Sequence, residues 1–374
     1  MKITDIRVVP VGIHLDETLR WGSFQVSIKG GVLVFIDTDE GITGIGEAGT
    51  TVHLYARLKP VLEYLKPCLI GKDPTRIEEL WHDMYKTVNV VSIRGLETYA
   101  MSGIDIALWD ILGKFCGMPV YKLLGAYQDK VKAYWAPSLK PAKVVERECK
   151  EALKLGFKAA KIRVGISKTE DLNIVKTARK VLGEDAVLMV DANMAYDLTD
   201  AVEMAKRFEE YSIYWLEEPV LGRGASNYAD LHERMQAAVN VRLAGGESIM
   251  TKYDFNELIC RRVFDVVQPD CAKVGGITEC RKIGTMAESH GLDCVPHIGC
   301  GSFGAVNLAA NMQVICSLSN SPFVEFDAYD NPIRTDAVRP RFTLKDGFLE
   351  IPQGPGIGIE IDDKALQKYV LSNV

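Results

Sequence analysis

The chain has 374 residues, of which 47% are apolar and 25% are charged. This ordinary globular composition excludes a disordered, collagen-like or fibrous chain. The net charge is −6 and no stretch concentrates lysine and arginine, which argues against nucleic-acid binding. The length suits one large α/β domain with a smaller companion.

The N-terminal sequence and the cysteine pattern indicate the cellular compartment of the protein. Asp5 and Arg7 interrupt what would be the apolar core of a secretory signal, so we expect none. Nine cysteines without a CxxC pair indicate reduced thiols in a cytoplasmic protein. Residues 294–324 contain no charged side chain, but their Asn, Gln, His and Pro residues favour a buried strand and helix over a membrane span.

The first 124 residues change from strand patterns to helix patterns at about residue 55. The segment His14–Ile28 has little periodicity and is predicted to be a long loop. The turn at residues 39–41 predicts a hairpin. The predicted strands are Thr4–Val11, Gly31–Asp37 and Ile42–Glu47. The predicted helices are Leu58–Leu65, Ile77–Tyr85 and Thr98–Phe115, and the last is apolar nearly all round and therefore expected to be buried.

From about residue 130, short apolar runs alternate with helical patterns. Eight such units predict a (β/α)8 barrel, an α/β fold, and the main alternative is a doubly wound sheet. The predicted strands are Val131–Ala136, Ala159–Arg163, Val187–Val190, Ile213–Leu216, Val241–Ala244, Val266–Gln268, Cys294–Val295 and Phe323–Val324. The predicted helices include Ala142–Leu155, Thr169–Val181, Leu198–Glu210, Ile277–His290 and Ala305–Leu318. The tail carries one more hairpin signal, at residues 345–347.

Seven successive apolar runs end in ionisable side chains, 23 to 30 residues apart. The carboxyl ends of barrel strands converge on one face, so these groups should meet at one mouth. Solvated loop charges would not follow the strand period in this way. The residues in chain order are Lys161 with Arg163, Asp191, Glu217, Glu247, Asp270, His297 and Glu325.

Three carboxylates on neighbouring strands, those of Asp191, Glu217 and Glu247, would form an all-oxygen site. Such a site favours Mg²⁺, which keeps room for water and a substrate oxygen. Glu218 follows Glu217 directly, and strand alternation lets only one of the two point into the mouth. We expect this to be Glu217, the first residue after the apolar run.

Asp270 and His297 end adjacent strands, so the carboxylate would fix the tautomer of the imidazole and raise its basicity. This pattern makes His297 a candidate general base. Lys161 and Arg163, two residues apart on one strand face, would balance negative charge developing on a bound anion. A cation, a base and two basic side chains suit removal of a proton α to a carboxylate through an enediolate.

The sequence resembles the enolase superfamily, mandelate racemase-like group, along essentially its whole length. The motifs that carry the resemblance are GITGIGEA, SGIDIALWDILGK, GMPVYKLLG, KIR, VDAN, WLEEP, GGES, QPD with KVGG, PHIG and VEF. The resemblance implies a barrel covered by an α+β capping domain. It divides the chain into a cap at 1–126, a barrel at 127–330 and a segment at 331–374 that returns to the cap.

The resemblance also implies roles for these residues. Asp191, Glu217 and Glu247 would hold one Mg²⁺ per subunit, and His297 with Asp270 would be the base. Lys161 would stabilise the substrate carboxylate, Glu325 would hydrogen-bond the enolic oxygen, and Asn193 would contact substrate. Cap loops at Arg20–Phe24 and Thr50–His53, with Arg20, Trp21 and His53, would set specificity for a small carboxylate, and the chain would form a homo-oligomer. Lys273 is interpreted as a structural lysine.

One position departs from the group's racemase pattern of Lys-x-Lys, because Arg163 stands at the second place. Arginine stays protonated and is a poor proton acceptor, so a two-base racemisation is disfavoured. A single base fits dehydration of an acid sugar, an aldonate or aldarate, to a 2-keto-3-deoxy acid. The alternatives are a racemase, epimerase or cycloisomerase with the same enediolate, and a non-catalytic metal-binding scaffold.

The glycine motif Gly44-x-Gly46-x-x-Gly49 matches the dinucleotide-binding fingerprint. That fingerprint needs a strand before it, a helix after it and an acidic residue about 20 positions on. Here the motif ends a hairpin strand and contains Glu47. We therefore expect no dinucleotide cofactor.

Overall fold

The computed structural model describes residues 1–21, 24–49, 51–90, 94–222, 225–299, 304–327 and 331–372. The first part of the chain forms an antiparallel sheet in the order β1-β2-β3, with four helices. The strands are β1 (Ile3–Trp21), β2 (Phe24–Thr38) and β3 (Thr43–Glu47), and the helices are α1 (Tyr55–Leu65), α2 (Ile77–Asn89), α3 (Leu96–Cys116) and α4 (Val120–Leu123).

The prediction of a loop at His14–Ile28 was wrong, because β1 and β2 continue through it as a long hairpin. The pairing runs from Ile3–Thr38 to Trp21–Phe24, with a register shift between His14 and Leu19. Most side chains of this outer hairpin are exposed or half-buried on both faces. No alternation of apolar and polar residues therefore marks it, and the backbone ladder holds the two strands together.

The glycines that match the dinucleotide-binding fingerprint allow close packing. A Cβ on Gly46 would lie 1.9 Å from the carbonyl oxygen of Gly103, and one on Gly44 would lie 2.2 Å from that of Ala107. β3 therefore lies directly on α3, which is buried nearly all round, as predicted. This close approach explains the glycine spacing without a nucleotide.

The rest of the chain forms the predicted barrel. Parallel pairing runs without a break from β4 to β10, and β11 pairs in parallel with β4, which excludes the doubly wound alternative. The strands are β4 (Lys130–Trp135), β5 (Ala159–Arg163), β6 (Val187–Asp191), β7 (Trp215–Glu217), β8 (Arg242–Gly245), β9 (Val266–Val267), β10 (Asp293–Cys294) and β11 (Phe323–Phe326). The helices are α5 (Ala142–Lys154), α6 (Lys168–Leu182), α7 (Leu198–Glu209), α8 (Ala225–Gln236), α9 (Thr251–Cys260), α10 (Gly276–Ser289) and α11 (Val306–Ile315).

Side chains fill the barrel interior, as the fold requires. Tyr134, Met189, Trp215, Val266 and Phe323 belong to one buried cluster inside the strands. The uncharged stretch predicted as a buried strand and helix forms β10 and α11, and every residue of α11 is buried. In the part of the chain that the structure describes, no helix is both long and apolar enough to cross a membrane.

The tail forms short elements that contact both parts of the fold. The predicted hairpin at Lys345-Asp346-Gly347 is present, with Asp346 and Gly347 both at positive φ, as a two-residue turn of this kind requires. Ile357 N donates to Asp110 Oδ1 at 2.9 Å, and Leu371 N donates to Pro10 O at 3.0 Å. The elements are α12 (Pro332–Ala337), β12 (Val338–Arg339), β13 (Leu344–Lys345), β14 (Phe348–Glu350), β15 (Glu360–Ile361) and α13 (Asp363–Leu366).

Helix α3, in the capping domain, supplies side chains that accept hydrogen bonds from the N-terminus of the barrel helix α10. The two oxygens of the fully buried Asp105 accept from Thr278 N at 3.0 Å and Thr278 Oγ1 at 2.6 Å. Ser102 Oγ accepts from Gly275 N at 2.9 Å. These contacts satisfy N–H groups that the first turn of α10 leaves free, because no side chain of its own caps this helix.

Replacing Asp105 by asparagine should remove one source of pH-dependent stability. Burial raises the pKa of this carboxyl from 3.8 to about 7, although hydrogen bonds from Thr278 oppose the rise. The folded form then holds the proton more tightly than the unfolded chain. The stability that the wild type derives from this proton is present at acid pH and is lost as the pH rises from about 4 to about 7.

The check is thermal unfolding of the wild type and Asp105→Asn between pH 5 and pH 7.5. We expect the wild type to lose up to about 3 kcal/mol relative to the variant over this range, and the asparagine keeps both hydrogen bonds to Thr278. Asp185→Asn, at an exposed carboxylate, is the control. Parallel pH profiles for wild type and Asp105→Asn would contradict the prediction.

Candidate active site

Strand register brings the predicted side chains to the carboxyl ends of adjacent strands. Arg163 at the end of β5 is paired with Asp191 at the end of β6, and Asp191 is paired with Glu217 at the end of β7. Glu325 on β11 is paired with Tyr134 on β4. Parallel strands with these pairings place their ends at one mouth of the barrel.

The ammonium of Lys161 lies at the centre of a carboxylate cluster. It is fully buried and contacts Glu217 Oε1, with Glu325 Oε1 at 3.2 Å and Asp191 Oδ2 at 3.6 Å. Burial lowers the pKa of Lys161, but Glu217 and Glu325 outweigh this effect and raise the pKa well above its ordinary value. The side chain is therefore a permanent cation at the floor of the mouth.

Glu217 is held from both sides, and Glu218 points elsewhere. Glu217 Oε2 accepts from Trp215 Nε1 at 3.1 Å and from Gln268 Nε2 at 2.8 Å, and burial raises the pKa of Glu217 to about 7. Glu218 Oε1 instead accepts from Tyr228 Oη at 2.6 Å and from the N–H of the residue before Glu247 at 2.8 Å. Glu217 is therefore the glutamate beside Lys161, and Glu218 supports the loop that carries Glu247.

Arg163 is fixed in place next to Asp191. Its Nε donates to Pro137 O at 2.9 Å, and Nη1 donates to Asn193 Oδ1 at 2.6 Å and lies 3.0 Å from Asp191 Oδ2. Asn193 itself adopts a positive φ of 43°, and its N–H donates to Asp191 Oδ1 at 2.8 Å. The guanidinium thus faces the mouth as a fixed positive charge beside the Lys161 cluster.

His297 lies between two carboxylates. Its Nδ1 is 2.8 Å from Asp270 Oδ2, and its Nε2 is 3.0 Å from Glu247 Oε2. Asp270 is oriented by the N–H of Ala272, which donates to its Oδ1 at 2.9 Å. Burial lowers the pKa of His297, but the charge of Glu247 and the hydrogen bonds to Asp270 and Glu247 raise it to about 10. The Asp270 contact places a proton on Nδ1, and Nε2 faces Glu247 in this structure.

Glu325 connects the two groups of side chains. Its Oε2 accepts from Ile298 N, the residue after the histidine, at 3.1 Å, and from Tyr134 Oη at 3.4 Å. Burial raises the pKa of Glu325, but Lys161, His297 and Arg163 lower it below its usual value. An ionised Glu325 thus touches Lys161 on one side and fixes the backbone beside His297 on the other.

The sequence did not reveal several side chains that support the site. Lys29 on β2, which is buried, forms an ion pair with Asp327, the residue after β11, and joins the cap to the mouth. Trp215 and Gln268 hold Glu217. Lys29 lies next to the segment that was predicted to be a loop, and Gln268 was read only as the end of a strand, so neither carried a local signal.

One cap residue predicted to set specificity, Arg20, contacts the barrel through its backbone. The carbonyl of Arg20 accepts from Leu139 N, in the loop after β4, at 3.0 Å, and the Arg20 side chain is exposed. His53 is exposed in a short 3-10 helix close to Gly49, whose N–H donates to Ala272 O at 2.8 Å. The Trp21 side chain, Gly22, Ser23 and Thr50 lie outside the described residues.

The three predicted metal ligands fit Mg²⁺ in their chemistry and strand positions. All are carboxylates at the ends of neighbouring strands, which are the oxygen donors that the ion prefers. Asp191 Oδ2 is buried and has no aligned hydrogen-bond donor, although Arg163 lies 3.0 Å away. Within the described residues, no three acidic, His or Cys side chains converge at metal-binding distance. The carboxylates are paired with Lys161, Arg163 and His297 instead.

Two family models match most of the chain. Residues 4–125 match the mandelate racemase/muconate lactonizing enzyme N-terminal domain, and residues 144–365 match the enolase C-terminal domain-like family. The chain is 36% identical over 339 residues to an arabinonate dehydratase of Saccharolobus solfataricus, covering 89% of each protein. It is 35% identical over 384 residues to a D-galactarolactone cycloisomerase of Agrobacterium fabrum, covering 99% of each.

The fold of the chain is also similar to that of solved structures. A racemase from Streptomyces coelicolor A3(2) with bound magnesium has a TM-score of 0.90 and 26% identity, covering 99% of this chain and 100% of that one. The predicted fold, a barrel with an α+β cap, is therefore confirmed. The chain belongs to the mandelate racemase/muconate lactonizing enzyme family of the enolase superfamily.

Proposed function

We propose that the chain is a Mg²⁺-dependent acid-sugar dehydratase. It removes the proton α to the carboxylate of an aldonate or aldarate and eliminates the β-hydroxyl, which yields a 2-keto-3-deoxy acid. The observation that carries this proposal is the single base. His297 is paired with Asp270 at 2.8 Å. The second basic residue, Arg163 at the end of β5, carries a guanidinium, which is a poor proton acceptor.

Each residue has a defined task in this reaction. Nε2 of His297 accepts the α-proton while Asp270 holds the ring in the required tautomer. Lys161 and Arg163 stabilise the negative charge that develops on the substrate carboxylate, in a buried site where such interactions are strong. Asp191, Glu217 and Glu247 would hold Mg²⁺, which supplies further charge stabilisation at the same oxygens.

The dehydratase proposal is supported by the arabinonate dehydratase relative, which matches most of the chain. A cycloisomerase is the second candidate, because the D-galactarolactone cycloisomerase matches 99% of both chains. Both reactions begin with the same α-proton abstraction. The difference lies in the fate of the β-oxygen, which leaves as water or remains bonded within the product.

The deciding experiment incubates the protein with Mg²⁺ and a panel of five- and six-carbon aldonates, aldarates and aldarolactones. Semicarbazide detects 2-keto products, and NMR in D₂O detects deuterium at the α-carbon. A dehydratase gives a 2-keto-3-deoxy acid with loss of water, whereas a cycloisomerase or an epimerase incorporates deuterium and keeps every oxygen. Magnesium binding without any conversion would support the scaffold alternative.

Removal of the metal is expected to abolish turnover. Loss of the divalent charge at the substrate carboxylate should lower the rate at least about 10³-fold, since electrostatic stabilisation is usually the largest catalytic contribution. Dialysis against EDTA, followed by titration with Mg²⁺, measures the effect. Calorimetry on Asp191→Asn should show weaker Mg²⁺ binding than the wild type. Full turnover in EDTA would refute the metal requirement.

We also propose that the protein is cytoplasmic and forms a homo-oligomer that acts on a small carboxylate. The eight cysteines in the described part of the chain are all unpaired, which fits a reducing compartment. The homo-oligomer follows from the family resemblance. Light scattering coupled to size-exclusion chromatography would measure the assembly, and a mass equal to one chain would refute it.

A further inference from the structure

The loops that follow β5 and β6 pack directly against each other. Gly165, two residues after Arg163, has a φ of 117°, and a Cβ there would lie 2.7 Å from the Cβ of Ala195 in the loop after β6. Glycine adopts this backbone without strain and leaves room for the neighbouring loop. The loop after Arg163 and the loop that contains Asn193 therefore share an interface at the rim of the mouth.

One carboxylate, that of Asp171 on α6, joins these two loops. It is fully buried, and its Oδ1 accepts from Gly165 N and from Ile166 N, both at 2.9 Å. Its Oδ2 accepts from the hydroxyl of Tyr196, in the loop after β6, at 2.8 Å. Buried carboxylates need such partners, because an unsatisfied one is costly for the folded state. We call Asp171 and Tyr196 the loop brace.

Tyr196 also ties the loop after β6 to the loop after β7. Its N–H donates to Pro219 O at 3.2 Å, and it forms an isolated β-bridge with Val220. Two residues earlier, Met194 N donates to Glu218 O at 2.6 Å. The loop after β6 is therefore held against both of its neighbouring loops, on one side through the brace and on the other through its backbone.

The backbone that the brace holds is strained. Asn193 has a φ of 43° and Met194 has a φ of 62°, so two consecutive residues other than glycine lie in the left-handed region. Such strain persists where surrounding contacts over-determine the conformation. Here it directs the N–H of Asn193 to Asp191 Oδ1 at 2.8 Å and brings its Oδ1 to 2.6 Å from Arg163 Nη1. The strained residue is thus the one that orients the guanidinium.

The direction of the Asn193 amide follows from the same contact. A guanidinium only donates hydrogen bonds, so Oδ1 of Asn193 faces Arg163, and Nδ2 points away from it. We propose that Asp171 and Tyr196 are positioning residues, which hold Asn193 so that Oδ1 fixes Arg163 and Nδ2 donates to the substrate. The brace acts through Asn193 and does not itself touch the substrate. This inference rests on the proposed dehydration for its kinetic test.

The first test compares Tyr196→Phe with the wild type, on the aldonate that the wild type dehydrates fastest. The change removes one hydroxyl and keeps the ring, and Asp171 keeps its two backbone donors. We expect kcat/KM to fall about 10- to 100-fold, since misplacing a substrate-positioning group by about 1 Å costs up to about 10²-fold. Exchange of the α-proton in D₂O should fall by the same factor, because it uses the same bound substrate.

Tyr121→Phe is the matched control. Tyr121 is also buried, and its hydroxyl donates to a carboxylate, that of Asp129, at 2.7 Å. It lies in α4, and Asp129 precedes β4, at the end of the strand opposite the mouth. We expect this variant to lower the melting temperature about as much as Tyr196→Phe and to keep the wild-type kcat/KM. Loss of stability alone would then not explain the effect of Tyr196→Phe.

Replacing Asp171 gives a second comparison. Asparagine keeps an oxygen for Gly165 N and Ile166 N and has an amide that can donate to the Tyr196 hydroxyl. We therefore expect Asp171→Asn to retain kcat/KM within about threefold of the wild type, since the contact geometry is kept. Asp171→Ala keeps none of these contacts and should lose more than Tyr196→Phe.

A double-mutant cycle tests the route through Asn193. Asn193→Gly removes the amide and allows the positive φ without strain. In this background Tyr196→Phe should cause almost no further loss of kcat/KM, because the side chain that the brace positions is already absent. Additive losses would show that Tyr196 does not act through Asn193, and they would overturn the proposal.

Amide hydrogen exchange gives a readout that needs no substrate. In Tyr196→Phe, peptides covering 192–197 should exchange faster than in the wild type, and Tyr121→Phe should leave them unchanged. Unchanged exchange in this loop, or a wild-type kcat/KM in Tyr196→Phe, would overturn the assignment. If the wild type converted no member of the panel while the loop exchanged faster as expected, the proposed function would be refuted and the structural role of the brace would be supported.

Discussion

Replacing His297 by asparagine is expected to reduce both turnover and α-proton exchange by about 10³-fold or more, because no other side chain takes over as base. Asparagine can keep a hydrogen bond to Asp270 or Glu247 but accepts no proton. The measurement is deuterium incorporation by NMR alongside formation of the 2-keto acid. Magnesium binding by calorimetry should be retained, which would separate loss of the base from loss of the metal site.

The control for this variant is His290→Asn. His290 lies at the end of α10, where Nδ1 contacts Met286 O at 2.9 Å, and it precedes β10, at the opposite end of that strand from His297. We expect wild-type rates for this change. If His297→Asn exchanged the α-proton as fast as the wild type, the base would have to be another residue.

Replacing Lys161 by methionine is expected to destabilise the fold by about 3–5 kcal/mol, because breaking a buried ion cluster leaves uncompensated charge. The ammonium is fully buried among Glu217, Glu325 and Asp191, and methionine fills similar space without charge. The check is guanidinium unfolding in EDTA, so that no divalent cation replaces the lost charge. Turnover should fall as well, since the cation opposite the base is gone.

Lys150→Met is the control for Lys161→Met. Lys150 is exposed and pairs with Glu146 one helical turn away, a contact that solvent screens and that contributes little to stability. Its unfolding midpoint should match that of the wild type. An unchanged midpoint for Lys161→Met would mean that the three carboxylates do not depend on this ammonium.

The barrel strands could be predicted from the sequence because buried parallel strands are apolar on both faces. The prediction for residues 159–163 matches β5, and the other barrel strands were placed within one or two residues. The hairpin at residues 14–28 had no such signal, because both of its faces lie toward solvent. Its strands are defined by backbone pairing, which side-chain patterns do not report.

The site could be predicted only in part. Strand ends identified the ionisable residues and the pairing of Asp270 with His297, but not the contacts of Lys161 with Glu217 and Glu325. Glu325, expected at the enolic oxygen, also holds Ile298 N, and Asn193 contacts Arg163. The roles assigned to the site residues and the domain boundaries stay predictions.

Contacts between distant parts of the chain left no trace in the sequence pattern. Asp105 and Thr278 are separated by 173 residues, and Lys29 and Asp327 by 298. Within its own segment of sequence, each of these four residues resembles an ordinary polar residue. Only the folded chain shows that a buried carboxylate or ammonium meets its partner across the boundary between cap and barrel.

The junction between α3 and α10 limits how such proteins can be recombined. A chimera that joins the first 126 residues of one relative to the barrel of another brings together an α3 and an α10 that evolved apart. Unless the cap donor supplies the carboxylate and the barrel acceptor supplies the threonine, amide groups in the first turn of α10 are left without hydrogen-bond partners. Grafting a new specificity would therefore require moving the Asp105–Thr278 pair as a unit.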